Sequence, residues 1–276
     1  METSDHFRLL SLPREIRDAI YLATIHTPRD PPDSPDEAGP RFKSGCATMW
    51  NRTVYYPIGP SSWPSHVSLI LCNRQVRSET LEILNRESSR LTCRLDCMQR
   101  SIDLWPTWIS YPGLPQTIDH LEMNLRLFNV YRGTGLFGGD GGPGLIFAPL
   151  FALLNRFIHH GPQFMYTGPL RHPPRLETLM INISYEGRTK FDHELSDHER
   201  TPHRLNIFRV IAGMLYRVAG KGLLVGKIQR IGVRWEDHES VFETGTFEPS
   251  EEVDEEWNQY GFHWGCDPSL TSSLNT

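Results

Sequence analysis

The chain has 276 residues, 38% apolar and 22% charged, an ordinary globular composition long enough for one large domain or two small ones. No apolar run approaches eighteen residues, and Met1-Glu2-Thr3-Ser4-Asp5-His6 carries no basic stretch ahead of an apolar core, so neither a membrane span nor a signal peptide is expected. The net charge of −5 conceals an asymmetry: all 28 Lys and Arg precede Glu236 together with 22 of the 33 acids, a balance of +6, while the remainder holds eleven acids and no Lys or Arg. Dispersed basic residues and a negative total argue against a nucleic-acid partner.

The first predicted element is a short helix in Leu12-Pro13-Arg14-Glu15-Ile16-Arg17 running to Ile20-Tyr21. Pro13 suits a first turn, where its missing N–H has no intrahelical partner. Ile16, Ala19, Ile20 and Ala23 share one face at spacings of three and four, and Arg14, Arg17 and Asp18 share the other. Such an apolar stripe either packs on its own domain or docks another protein. Residues 27–45 hold Pro28, Pro31, Pro32, Pro35, Pro40, Gly39 and Gly45, a density of breakers that predicts a flexible loop. Arg52 to Ile58 reads as a strand, Ser68 to Leu84 as a helix through Leu69, Cys72, Val76, Thr80 and Ile83, and Arg90 to Asp96 as a second strand.

Two of these segments carry a resemblance. Leu12-Pro13-Arg14-Glu15-Ile16-Arg17 with its Ile20-Tyr21 ending, and Cys72-Asn73-Arg74-Gln75-Val76-Arg77-Ser78-Glu79, resemble the paired helix patterns of fungal F-box-like proteins. Asn73 is inserted between the Cys and the Arg of the second pattern, and about forty residues separate the two helices where a standard F-box is continuous. The resemblance covers roughly the first 90 residues. It implies a protein-binding adaptor whose N-terminal helices dock the Skp adaptor of a cullin-RING ubiquitin ligase while the rest captures a substrate protein. Leu12, Pro13, Ile16, Ile20 and Tyr21 are then the partner-binding candidates.

Beyond residue 115 the predicted pattern is a helix followed by a Leu-rich strand. Strands are expected at Ile118–Leu125, Arg175–Ile183 and Lys227–Trp235, each alternating apolar and polar residues. Helices are expected at Leu145–His160 and Pro202–Ala219, the latter closed by Gly220. Strand, helix, strand, helix, strand implies crossovers and a largely parallel sheet. The repeat of about 55 residues resembles a degenerate leucine-rich repeat, whose own period is 20–29. The expected organisation is 1–90 F-box-like with the Pro-rich insertion, 91–235 α/β, and 236–276 an acidic tail. Trp235, Phe242, Phe247, Trp257, Tyr260, Phe262 and Trp264 interrupt its acids, so part of it should fold back on the basic body.

Signals for chemistry are weak. Gly133-Thr134-Gly135-Leu136-Phe137-Gly138 matches a dinucleotide fingerprint, but Gly139 to Gly144 intervene before any helix whose amides could meet a pyrophosphate. It reads as a flexible surface loop. His193, His198 and His203 are spaced by five, not by the three or four of a helical ligand pair, and Cys93 and Cys97 lack a second pair, so neither metal nor cofactor is expected. The five cysteines, Cys46, Cys72, Cys93, Cys97 and Cys266, form no framework and read as reduced thiols of a cytoplasmic or nuclear protein. No P-loop, Gly-x-Ser-x-Gly or His-Glu-x-x-His is present. The expectation is therefore a non-enzymatic interaction adaptor. Its alternatives are a self-contained scaffold that keeps the helix pattern as core packing, or an enzyme of a type these motifs do not reveal.

Overall fold

Eight strands, β1 (Arg41–Gly45), β2 (Thr53–Pro57), β3 (Thr92–Arg100), β4 (Asp103–Ser110), β5 (His120–Phe128), β6 (Leu176–Glu186), β7 (Ile228–Trp235) and β8 (His238–Glu243), form one mixed sheet in a computed structural model. The structure describes residues 9–45, 53–58, 65–87, 92–111, 119–128, 147–160, 175–186 and 197–259. The order is β1-β2-β4-β3-β5-β6-β7-β8. β3, β5, β6 and β7 run parallel side by side and β2 runs parallel to β4, whereas the β1–β2, β3–β4 and β7–β8 pairs are antiparallel. Six α-helices accompany the sheet among the described residues: α1 (Arg14–His26), α2 (Ser65–Cys72), α3 (Arg74–Glu87), α4 (Ala148–His160), α5 (Asp197–Gly220) and α6 (Glu251–Gln259). The α/β class and the parallel centre agree with the strand-helix pattern.

Alternation explains which face is buried. Leu121, Met123, Leu125 and Leu127 of β5 join Leu179, Ile181 and Ile183 of β6 and Ile231, Val233 and Trp235 of β7 on one side. Helices α4 and α5 close that side with Leu150, Phe151, Leu154, Phe157, Ile207, Ile211, Leu215 and Val218. Intervening residues such as Asn124, Arg126, Asn182 and Arg230 occupy the opposite face, where Asn182 donates to Asn124 at 3.2 Å and Arg230 pairs with Glu177 at 2.6 Å. Strands covered by helices on both faces are apolar throughout, so the alternation reports a sheet covered by helices on one side.

The β3–β4 and β7–β8 hairpins turn in two residues, Ser101-Ile102 and Glu236-Asp237. The first residue of each lies in the left-handed region, with φ 59° at Ser101 and 50° at Glu236. Tight two-residue turns need positive φ to match the strand twist, which places a non-glycine residue under strain here. Pro106 lies inside β4, a position from which a central ladder normally excludes proline. It is tolerated because β2 pairs with β4 only at Asp103 and Leu104. Past that point Arg41 bridges the two strands, donating to the carbonyls of Tyr55 at 3.1 Å and Pro106 at 2.7 Å and to Thr107 Oγ1 at 2.6 Å. Burial pushes this guanidinium down to about 10.

Several expectations are corrected. Residues 27–45, expected to be loop throughout, form a strap that contains a 3-10 turn at Pro35–Glu37 and strand β1, and the Arg29 amide donates to Ile109 O at 2.8 Å. The sheet crosses the expected boundary at residue 90, because β1 and β2 belong to it. The predicted helix 68–84 is two helices, broken at Asn73, whose side chain accepts the Val76 amide at 2.9 Å as an N-cap of α3. The glycine-rich segment 133–144 lies outside the described residues.

The acidic segment after Trp235 supplies β8 and α6, which fold onto the body as its aromatic residues imply. Trp257 is 2% exposed in the main core, 6.1 Å ring to ring from Phe151. The connection between β8 and α6 crosses Gly222, φ 81°, where a Cβ would collide with the Phe247 carbonyl. Trp257→Ala should therefore cost about 3–5 kcal/mol of stability, the range for emptying an aromatic core site. Exchanging the exposed Glu255, beyond the first turn of α6, for Gln should change it by under about 0.5 kcal/mol. Denaturant melts of the two variants give the comparison.

Candidate partner-binding surface

The three N-terminal helices make a small core of their own. Tyr21 and Ile25 of α1 meet Val76, Ile83 and Leu84 of α3, with Leu9, Leu22, Leu69 and Ile70 packed around them. On α3 the buried positions Val76, Glu79, Thr80, Ile83 and Leu84 follow helical spacing. On α1 they are Arg17, Tyr21 and Ile25, one residue every four. The inward face of α1 thus carries an arginine, and the apolar stripe read from the sequence is turned the other way.

Glu79 is the cause. It lies buried beside Arg17, whose Nε and Nη2 donate to its two oxygens at 3.0 and 2.6 Å in a bidentate pair. Tyr21 donates its hydroxyl at 2.9 Å and Gln75 its amide at 3.0 Å. The remaining arm of Arg17 reaches the Leu12 carbonyl at 2.5 Å, which fixes how the chain enters the helix. Arg14 adds an outer layer, bonding Asp18 at 2.5 Å and Glu82 at 3.0 Å. An unpaired carboxylate could not remain buried here, but one with four donors can. Hydrogen bonding from Arg17, reinforced by Gln75 and Tyr21, holds Glu79 down to about 2. Burial pushes the Tyr21 hydroxyl upward, and the Glu79 contact adds to this.

The five candidate residues separate accordingly. Tyr21 is 0% exposed and belongs to the helical core, so it forms no part of an accessible surface. Pro13 is exposed immediately before α1, Ile16 is 50% exposed, and Leu12 and Ile20 are half-buried. Ile16 and Ile20 stand one turn apart on the outer side of the helix. Two further apolar residues were missed in the sequence: Leu10, 42% exposed in the turn before α1, and Leu71, 66% exposed on α2. Leu71 could have been found, because Leu69, Ile70 and Leu71 advance by 100° each and a short helix with Leu69 and Ile70 against its neighbours must turn the third outward.

The described residues hold no cluster of three or more His, Cys, Asp or Glu side chains placed to bind a metal ion. Cys93 and Cys97 are buried on β3, and desolvation raises both thiols far from the reactive thiolate range. His193, Cys46 and Cys266 lie outside the described residues, as do the side chains of His198 and His203. Among the described residues no helix is long and apolar enough to cross a membrane.

The sign of the Glu79 contribution follows from its lowered pKa. Its stabilisation is fully present above the ordinary carboxylate value of 4.5 and is lost as pH falls toward about 2. The stability difference between the wild-type protein and Glu79→Gln should hence be constant from pH 7 to about 5 and shrink steadily below. Thermal melts of both proteins across pH 2–7 check it.

Comparison with protein-family models, with curated proteins and with solved structures finds no match.

Proposed function

We propose that the chain is a non-enzymatic interaction adaptor of the F-box-like kind, acting in the cytoplasm or nucleus, whose outer α1 surface of Leu12, Pro13, Ile16 and Ile20 docks the Skp adaptor of a cullin-RING ubiquitin ligase. In this reading the strand-helix half, a degenerate relative of a leucine-rich repeat, captures the substrate protein. One observation carries it: α1 commits its inward face to Arg17 and Tyr21 and leaves Ile16 half exposed. Core packing accounts for Arg17, Gln75 and Glu79 of the two sequence patterns and the helix start accounts for Pro13, which leaves Ile16 unaccounted for. Apolar side chains on the outer face of a rigid helix are the usual anchors of helix-mediated recognition.

A second reading is favoured by a different observation. The segment between the two helix patterns supplies β1 and β2 to the central sheet, so α1 to α3 are part of one scaffold and not a detachable module. In that reading the helices serve the fold alone.

The two readings predict different outcomes for Ile16→Ala combined with Ile20→Ala. Under the adaptor reading melting changes little, because Ile16 is half exposed. Binding of Skp falls tenfold or more per residue, as expected for losing about 1.5–3 kcal/mol of buried apolar contact. Thermal melting and titration of the double variant with Skp measure both. Absence of wild-type affinity for Skp at micromolar concentration would refute the adaptor assignment.

A further inference from the structure

Two large apolar residues are buried without belonging to either apolar core. Met98 of β3 and Trp105 of β4, register partners across the hairpin, have 0% and 8% exposure, yet they lie on the face away from α4 and α5. Asp96, 1% exposed, lies on the same face, paired with Arg126 at 2.8 and 2.9 Å. What lies against this face is the strap before β1, whose Pro35–Glu37 turn contacts β3.

The chemistry of the contact is specific. Residues 28–38 contain Pro28, Pro31, Pro32 and Pro35 with Asp30, Asp33, Asp36 and Glu37 against a single Arg29. Arg100 grips the Asp36 carboxylate with both terminal nitrogens, at 2.8 and 2.7 Å. Arg126 donates to the Pro32 carbonyl, and Arg41 donates to the Ala38 carbonyl at 3.0 Å. Beside them Tyr55 stacks on Trp105 at 4.8 Å with the rings 4° from parallel, and the Arg100 guanidinium lies 5.5 Å from the centre of the Trp105 ring. Aromatic rings flanked by donors to carbonyl oxygens are how proline-rich segments are held, and a bidentate arginine adds selection for an acid.

The strap is held by exchangeable contacts. The Asp36 side chain is 74% exposed, and of the residues between Pro28 and Ala38 only Pro35 is buried. Pro35 is its one buried residue, so lifting the strap costs chiefly the cover it gives Met98 and Trp105, and a segment of the same chemistry restores that cover.

We propose that the Tyr55, Trp105, Arg100 and Arg126 face is a binding site for an acidic, proline-rich segment, filled at rest by residues 28–38 and available to a partner protein that presents a segment of the same chemistry. The site is remote in role from the α1 surface, and neither assignment depends on the other. Tethering makes the strap a strong competitor through its effective concentration, so a free peptide meets the site only when the strap is weakened.

The experiment uses the full chain and a fluorescent synthetic peptide of residues 28–38. Asp36→Lys removes the Arg100 contact and places a like charge there, so peptide affinity measured by anisotropy should rise at least tenfold over wild type. Adding Arg100→Gln, which leaves no charge at position 100 to pair with either the strap or the peptide, should abolish it, as should a peptide carrying Lys in place of Asp36. Hydrogen exchange on the wild-type chain is the companion measurement and needs no variant. The Arg29 amide, bonded to Ile109 O, should open far more often than the amides of β5. Exchange of Arg29 only through global unfolding overturns the proposal. So does a folded Asp36→Lys chain that binds no peptide at millimolar concentration, or one whose binding ignores Arg100→Gln.

Discussion

The arrangement of the N-terminal half follows from one buried contact, the bidentate bond of Arg17 to Glu79 across 62 positions of sequence. Removing two charges from water is costly, and the cost is met only when every donor and acceptor finds a partner. Here Tyr21, Gln75 and the Leu12 carbonyl complete the set. Satisfying Glu79 requires α1 to turn Arg17 and Tyr21 inward. At 100° per residue the same rotation carries Ile16 outward. The exposed isoleucine is thus the geometric counterpart of the buried arginine.

The contact also constrains the chain between its partners. A segment that leaves α1 and must return to α3 could have been a long unstructured excursion, which is uncommon inside a compact domain. Instead it lays a strap over the sheet and adds β1 and β2 to its edge. Arg41 then bridges the interval between β2 and β4 that a ladder interrupted near Pro106 leaves open. The sheet and the helical cluster are joined by this segment, although each has its own apolar core.

Much of the central sheet was legible, because β5, β6 and β7 alternate over six or more positions and α4 and α5 show sustained helical spacing. The edges were not. β1 is hidden among prolines and glycines, β4 carries Pro106, and β8 and α6 lie in an acidic segment whose composition resembles a solvated tail. In each case tertiary pairing overrides local composition, as it does for strands whose preference depends on what they pack against. Trp257 was the legible exception, one of the aromatics among the acids from which a segment folded back on the body was expected. For the candidate surface, the sequence left open whether the apolar stripe of α1 packs inward or meets a partner, and it did not place Arg17 inside. Counting apolar residues favours Ile16, Ala19, Ile20 and Ala23, and nothing in α1 alone shows that a carboxylate 62 positions later will draw Arg17 inside. Pattern reading assumes that charges face water, and a fully satisfied ion pair is the case in which they do not.

The account turns on Arg17 and Glu79 acting as one unit, and a double-mutant cycle tests that most directly. Melting would be measured for Arg17→Met, Glu79→Gln and the two combined. If the pair organises the helices, each single substitution strands a buried partner, and the double variant should be no less stable than the worse single one. Costs that simply add would contradict it, since the two groups would then contribute independently and the outward position of Ile16 would need another cause.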